Sequence, residues 1–113
     1  MALLDRVAER GAIAPQLWPL EALNVLLIAE RKRRLDGTRR RMLAGFLRDL
    51  PVVLDTETAD RAWEATAQLA EARGLTLYDA AYLELAIRRR LPLASLGQGL
   101  RAAAAQMGVE VLG

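Results

Sequence analysis

The stretch Gly74–Ala86, GLTLYDAAYLELA, carries one carboxylate, Asp79, into a segment that is otherwise almost wholly apolar. Thr76 is a fit start for a helix, because its hydroxyl can accept a backbone N–H of the first turn. Asp79 then falls at the third helical position. Leu75, Tyr82, Leu83 and Ala86 share its stripe, so the spacing predicts a helix buried nearly all round. A carboxylate in such a helix is costly unless it is paired, hydrogen-bonded or bound to a metal. Two readings stand side by side. Thr76 and Asp79 have the spacing of a capping box, or Asp79 belongs to a site.

Working outward from this helix, short apolar runs alternate with helical patterns. Before it, "PVVLD" (51–55) is β-branched and strand-like, and Thr56 and Thr58 are N-cap candidates for a helix ending near Gly74. After it, "LPLAS" (91–95) reads as a strand, Gly97–Met107 as a helix closed by Gly108, and "VEVL" (109–112) as a last strand. In the N-terminal half, Leu3, Leu4, Val7 and Ala8 mark an amphipathic helix that Gly11 stops. "AIAP" (12–15) is a buried-strand candidate. Pro19 opens a helix running to about Arg34, with Leu20, Leu23, Leu26, Leu27 and Leu35 as its apolar positions. Asp36 caps the next helix, whose inner face is Met42, Leu43, Phe46, Leu47 and Leu50.

No Asn-Gly or similar hairpin signal joins the strands, which predicts parallel pairing through helical crossovers. The fold expected is α/β and helix-rich, with a small parallel sheet flanked by helices. Strands covered on both faces explain why each run is uniformly apolar. Residues 1–113 form one domain; a chain of this length buries roughly 65% of its unfolded surface.

Composition narrows the chemistry. The chain has no cysteine and no histidine, so thiolate and imidazole ligands or catalysts are excluded. Acid–base or metal chemistry must come from Asp and Glu, which suit hard ions such as Mg²⁺ or Mn²⁺. Charges interrupt every apolar run well short of the ~20 residues of a membrane span. Asp5, Arg6, Glu9 and Arg10 stand where a signal peptide would be apolar, so no membrane and a cytoplasmic location are expected. The net charge is only +2, but Arg31–Arg34, Arg39–Arg41 and Arg88–Arg90 hold ten of the sixteen cations. These clusters read either as favourable charges at helix C-termini or as a nucleic-acid surface. The aromatics Trp18, Phe46, Trp63, Tyr78 and Tyr82 are scattered and read mostly as core; Trp63, among Ala62, Ala65 and Ala67, is assigned to packing.

Ligands of open parallel sheets sit beyond the carboxyl ends of the strands. Glu21 follows the strand ending at Pro15 and lies in the first turn of the next helix, as Asp79 does in its own. Leu20, Ala22, Leu23, Val25 and Leu26 surround Glu21, and Asn24 one turn on can orient it. The alternative is that each acid merely complements a helix dipole.

"PQLWPLEALNVLL" (15–27), "LTLYDAAYLELA" (75–86) and "LPLASLGQGLRAAAAQMGVEVL" (91–112) together resemble the later motifs of PIN-domain ribonucleases, most closely the VapC-type toxins of bacterial toxin–antitoxin pairs. The resemblance implies a small parallel-sheet nuclease in which acids hold Mg²⁺ or Mn²⁺. Glu21 and Asp79 would match two of those acids, as catalytic and metal-binding residues. The partners it implies are an RNA substrate and a cognate antitoxin protein. Two departures accompany it. The family's first strand, with its first catalytic Asp, has no counterpart here, and Asp5 lies in a helical pattern and does not replace it. Gly97 stands where a further acid is expected. The resemblance therefore implies a PIN-like domain truncated at the N-terminus, with impaired nuclease activity. The lost strand exposes sheet edges, which predicts a homodimer. A non-catalytic PIN remnant that dimerises or binds antitoxin is the alternative. A third reading is an Arg-driven nucleic-acid binder without catalysis.

Overall fold

Each apolar run adopts its expected element, but the strands form two separate pairs instead of one sheet. The computed structural model describes residues 2–95 and 97–112, and side chains from residue 5 onward except at Leu96; the side chains of Leu3 and Leu4, assigned above to an apolar face, lie outside the described residues. Helix α1 (Ala2–Arg10) ends at Gly11, whose φ of 75° turns the chain directly into β1 (Ala12–Ala14). A Cβ at Gly11 would also sit 3.1 Å from the Pro51 carbonyl oxygen, so close approach and left-handed backbone both require glycine.

Helix α2 (Trp18–Arg31) has Pro19 in its first turn and ends three residues before the Arg34 expected from the sequence. Arg33, at φ 58°, redirects the chain. Helix α3 (Gly37–Asp49) starts as predicted at Asp36, whose carboxylate accepts the Arg39 N–H at 2.7 Å. Strand β2 (Val52–Leu54) then pairs in parallel with β1, in the register Ala12–Val52, Ile13–Val53 and Ala14–Leu54.

Helix α4 (Thr58–Arg61) continues through a π-helical turn, Ala62–Thr66, into α5 (Ala67–Arg73), which Gly74 ends at φ 65°. Neither Thr56 nor Thr58 caps it. Glu57 occupies the N-cap without a side-chain cap bond, and the Thr58 hydroxyl is committed to Asp55. Trp63 corrects the packing assignment: it is 86% exposed, carried outward on the π turn, where alanine neighbours signal helix formation and not burial. Phe46 and Tyr78 are exposed as well, while Trp18 and Tyr82 are half-buried.

Thr76 caps α6 (Leu77–Arg89) by accepting the Asp79 N–H at 3.1 Å. Strand β3 (Leu93–Ala94), helix α7 (Gln98–Gln106) and strand β4 (Val111–Leu112) complete the chain, with β3 parallel to β4. The core lies in this C-terminal part. Leu83, Ala86, Leu93, Leu100, Ala103 and Ala104 form one buried cluster. Helices α2 and α3 pack on each other yet bury no residue completely. Leu20, Leu23, Met42 and Phe46, expected to face inward, are exposed.

Between the two strand pairs lies a cleft of about 510 Å³. Ala12, Ile13 and Ala14 of β1 line it together with Leu93 and Ala94 of β3. The radius of gyration, 14.6 Å, exceeds the ~13 Å typical of a compact chain of this length.

Candidate functional site

Glu21 is tied to Tyr82, which stands one helical turn beyond Asp79 on α6. Proline at the start of α2 fixes its first turn, and Glu21 sits in that turn with its N–H bonded to the Leu17 carbonyl at 3.1 Å. The Thr76 cap fixes the first turn of α6, which carries Asp79. Tyr82 lies three residues on along α6, on the same face, and its hydroxyl donates to Glu21 Oε1 at 2.6 Å. Sixty-one residues of chain separate that donor from its acceptor. Both acids are half-buried.

The electrostatics agree with the geometry. Burial first, then the bond to Glu21 and the negative charges of Glu21 and Asp79, hold the Tyr82 phenol well above its usual pKa. Tyr82 therefore remains a proton donor to Glu21 at all physiological pH. The Tyr82–Glu21 bond is what brings two distant segments together; Asp79 is near Tyr82 because it precedes it by one helical turn. The Asp79 carboxylate itself has no hydrogen-bond or ion-pair partner among the described residues; the capping box expected from TLYD is made on the threonine side only. Asn24, read as a possible orienting group for Glu21, is exposed.

No protein-family model matches this chain, and no curated protein matches it.

A second acidic cluster escaped the sequence reading. Asp55, directly after β2, is 4% exposed, and Glu84 of α6 is 6% exposed. Arg88 joins them. Its Nη2 and Nη1 lie 2.8 and 3.1 Å from the two Asp55 oxygens, and its Nε lies 2.8 Å from Glu84 Oε2. Nη1 also reaches Glu57 at 3.2 Å, and Thr58 Oγ1 donates to Asp55 Oδ2 at 2.9 Å. The Arg88 bond is the main reason that the Asp55 carboxyl lies below its ordinary pKa; burial opposes it, and Thr58 and the Glu57 N–H assist. Arg88, read with Arg89 and Arg90 either as helix C-terminal charge or as a nucleic-acid surface, lies in the last turn of α6 but is turned inward. The i,i+4 spacing of Glu84 and Arg88 was the available signal. This cluster is a fully paired structural tie between the end of β2 and α6.

The remaining clusters behave as surface charge. Arg31–Arg34, Arg39 and Arg41 are exposed around the α2–α3 turn, while Arg40 pairs with Glu30. At 1.5 Å per residue, Arg31 stands about 15 Å along α2 from Glu21.

Among the described residues no group of three or more His, Cys, Asp or Glu gathers as a metal centre. The donors on offer at the Tyr82 site are two carboxylates, one of whose oxygens the protonated phenol already occupies. Such a set fits Mg²⁺ or Mn²⁺ only as an ion that keeps much of its water.

Proposed function

We propose that this chain is a PIN-like domain of the VapC ribonuclease-toxin type, in which Glu21 and Asp79 hold Mg²⁺ or Mn²⁺ against an RNA phosphodiester and catalysis is impaired. The observation that supports this reading is the Tyr82–Glu21 hydrogen bond, which holds the first turn of α2, with Glu21, against the helix that carries Asp79. The ion, when bound, would activate water and neutralise charge on the phosphorus oxygens. The chain's own part is positional. Glu21 and Asp79 supply the negative charge, and Tyr82 fixes the rotamer of Glu21. The exposed arginines around the α2–α3 turn contact the RNA backbone without reading bases. Two carboxylates make a site of low charge, so this reading expects weak metal affinity and low turnover. The domain is cytoplasmic in this reading.

A second reading has its own support. Val25 is 67% and Met42 65% exposed, and Leu20 and Phe46 add to the same helix pair. Exposed apolar side chains on this pair suit an interaction protein, as a homodimer or bound to an antitoxin helix.

Calorimetric titration with Mn²⁺ separates the two. The nuclease reading expects saturable heat in the wild type, lost in Glu21→Gln and in Asp79→Asn, and slow Mn²⁺-dependent cleavage of single-stranded RNA. Absence of heat together with unchanged stability in both variants would leave the interaction reading.

A further inference from the structure

The cleft between the two strand pairs has a definite chemistry along its walls. In a parallel ladder each residue turns both backbone groups to one neighbour, and the next residue turns them the other way. Ala12 donates its N–H to the Pro51 carbonyl at 3.1 Å, and the Ala14 carbonyl accepts the Asp55 N–H at 2.7 Å. The backbone groups of Ile13, between them, therefore point away from β2. On the other pair, Leu93 donates to the Glu110 carbonyl at 2.8 Å, so the groups of Ala94 point away from β4. Ile13 and Ala94 both line the cleft. Leu85 and Ala86 of α6 line it too, with Trp18 and Tyr82, so its surface is mainly apolar. Arg6 and Arg10 are cations on its lining.

An apolar small molecule would leave the backbone groups on both walls unpaired, and a helix would satisfy none of them. An extended peptide answers both demands. From this we infer that the cleft is a receptor for one β-strand of another polypeptide: a short run of β-branched residues with an acidic residue at its end. The strand's backbone pairs with Ile13 on one side and Ala94 on the other, joining the two pairs into a single sheet. Its acidic end lies beside Arg6 and Arg10. A second copy of this chain is the poorer occupant. Its apolar extended runs at 12–14, 52–54, 93–94 and 111–112 are already engaged in ladders and would have to unpair first. This inference is independent of any metal at Glu21 and Asp79.

Trp18 lines the cleft, whereas Trp63 is exposed elsewhere, so a Trp63→Phe background makes Trp18 the sole tryptophan reporter. The probe is the peptide Asp-Asp-Val-Ile-Val-Ile-Val-Asp-Asp, acidic at both ends so that either strand direction is served. The expected result is a saturable blue shift of Trp18 emission. The same peptide N-methylated at every internal amide should bind at least tenfold more weakly, since it keeps the side chains and loses its N–H donors to both walls. Arg6→Glu with Arg10→Glu should weaken the unmodified peptide severalfold while circular dichroism stays unchanged. Equal binding of the N-methylated peptide, or no shift at millimolar peptide, overturns the inference. So does a dimer in sedimentation velocity whose Trp18 is already shielded and blind to the peptide.

Discussion

Tyr82 decides how the acid pair behaves, because its hydroxyl occupies one oxygen of Glu21. A hydrogen bond to a charged group contributes about 1.5–3 kcal/mol. Tyr82→Phe should therefore lower stability by up to that amount in urea denaturation, while freeing Glu21 and tightening Mn²⁺ binding in the same calorimeter. The phenol's pKa is raised above the ordinary value of about 10. A raised group gives stability that is complete below its unfolded pKa and is lost as pH climbs from there toward the folded one. Wild-type stability should thus decline above about pH 10, with a smaller decline in the phenylalanine variant. A steeper loss in the variant would refute the role given to Tyr82. The sequence made Glu21 and Asp79 visible through their helix positions, but Tyr82 read as core. A phenol's apolar ring fits a helix stripe whether or not its hydroxyl reaches a partner 61 residues away.

At the scale of elements, Arg88 is the joint between α6 and the end of β2. Both carboxylates that it serves are nearly inaccessible. Replacing it by methionine leaves Asp55 and Glu84 buried without their cation, a loss of about 3–5 kcal/mol. Asp55→Asn should cost less, since Glu84 still balances the guanidinium. Because the Asp55 carboxyl lies below its ordinary range, its contribution is complete above about pH 4 and is lost as pH falls from there toward the lower folded-state value. Thermal melts of wild type should drop in this acid range, and the Asp55→Asn variant should show a shallower slope. Element types were legible from the sequence because β-branched runs and caps are local signals: Asp36 and Thr76 cap as read. Pairing was not. Whether four apolar runs close into one sheet depends on the distance between Ile13 and Ala94, and no local pattern encodes it. The same limit explains Trp63, whose exposure follows from a π turn that shifts the helix face after Arg61.

Across the whole molecule, burial is lopsided. The cluster around Leu83, Leu93 and Leu100 holds the C-terminal part together, while α2 and α3 rest on each other with exposed apolar flanks. Opening free energies follow local burial. Amide hydrogens of α2 and α3 should exchange at lower protection than those of α6 and α7, measured by mass spectrometry at neutral pH. Uniform protection across all four helices would contradict this division. Adding the strand peptide should raise protection in β1 and β3 first.

The turn between α2 and α3 joins the least anchored helices and is also where the exposed arginines crowd, from Arg31 to Arg41. A protease that cuts after basic residues therefore finds its preferred bonds where the backbone is easiest to peel into an extended form. Trypsin's first nick belongs there, and the fragment beginning beyond α3 should outlast the other.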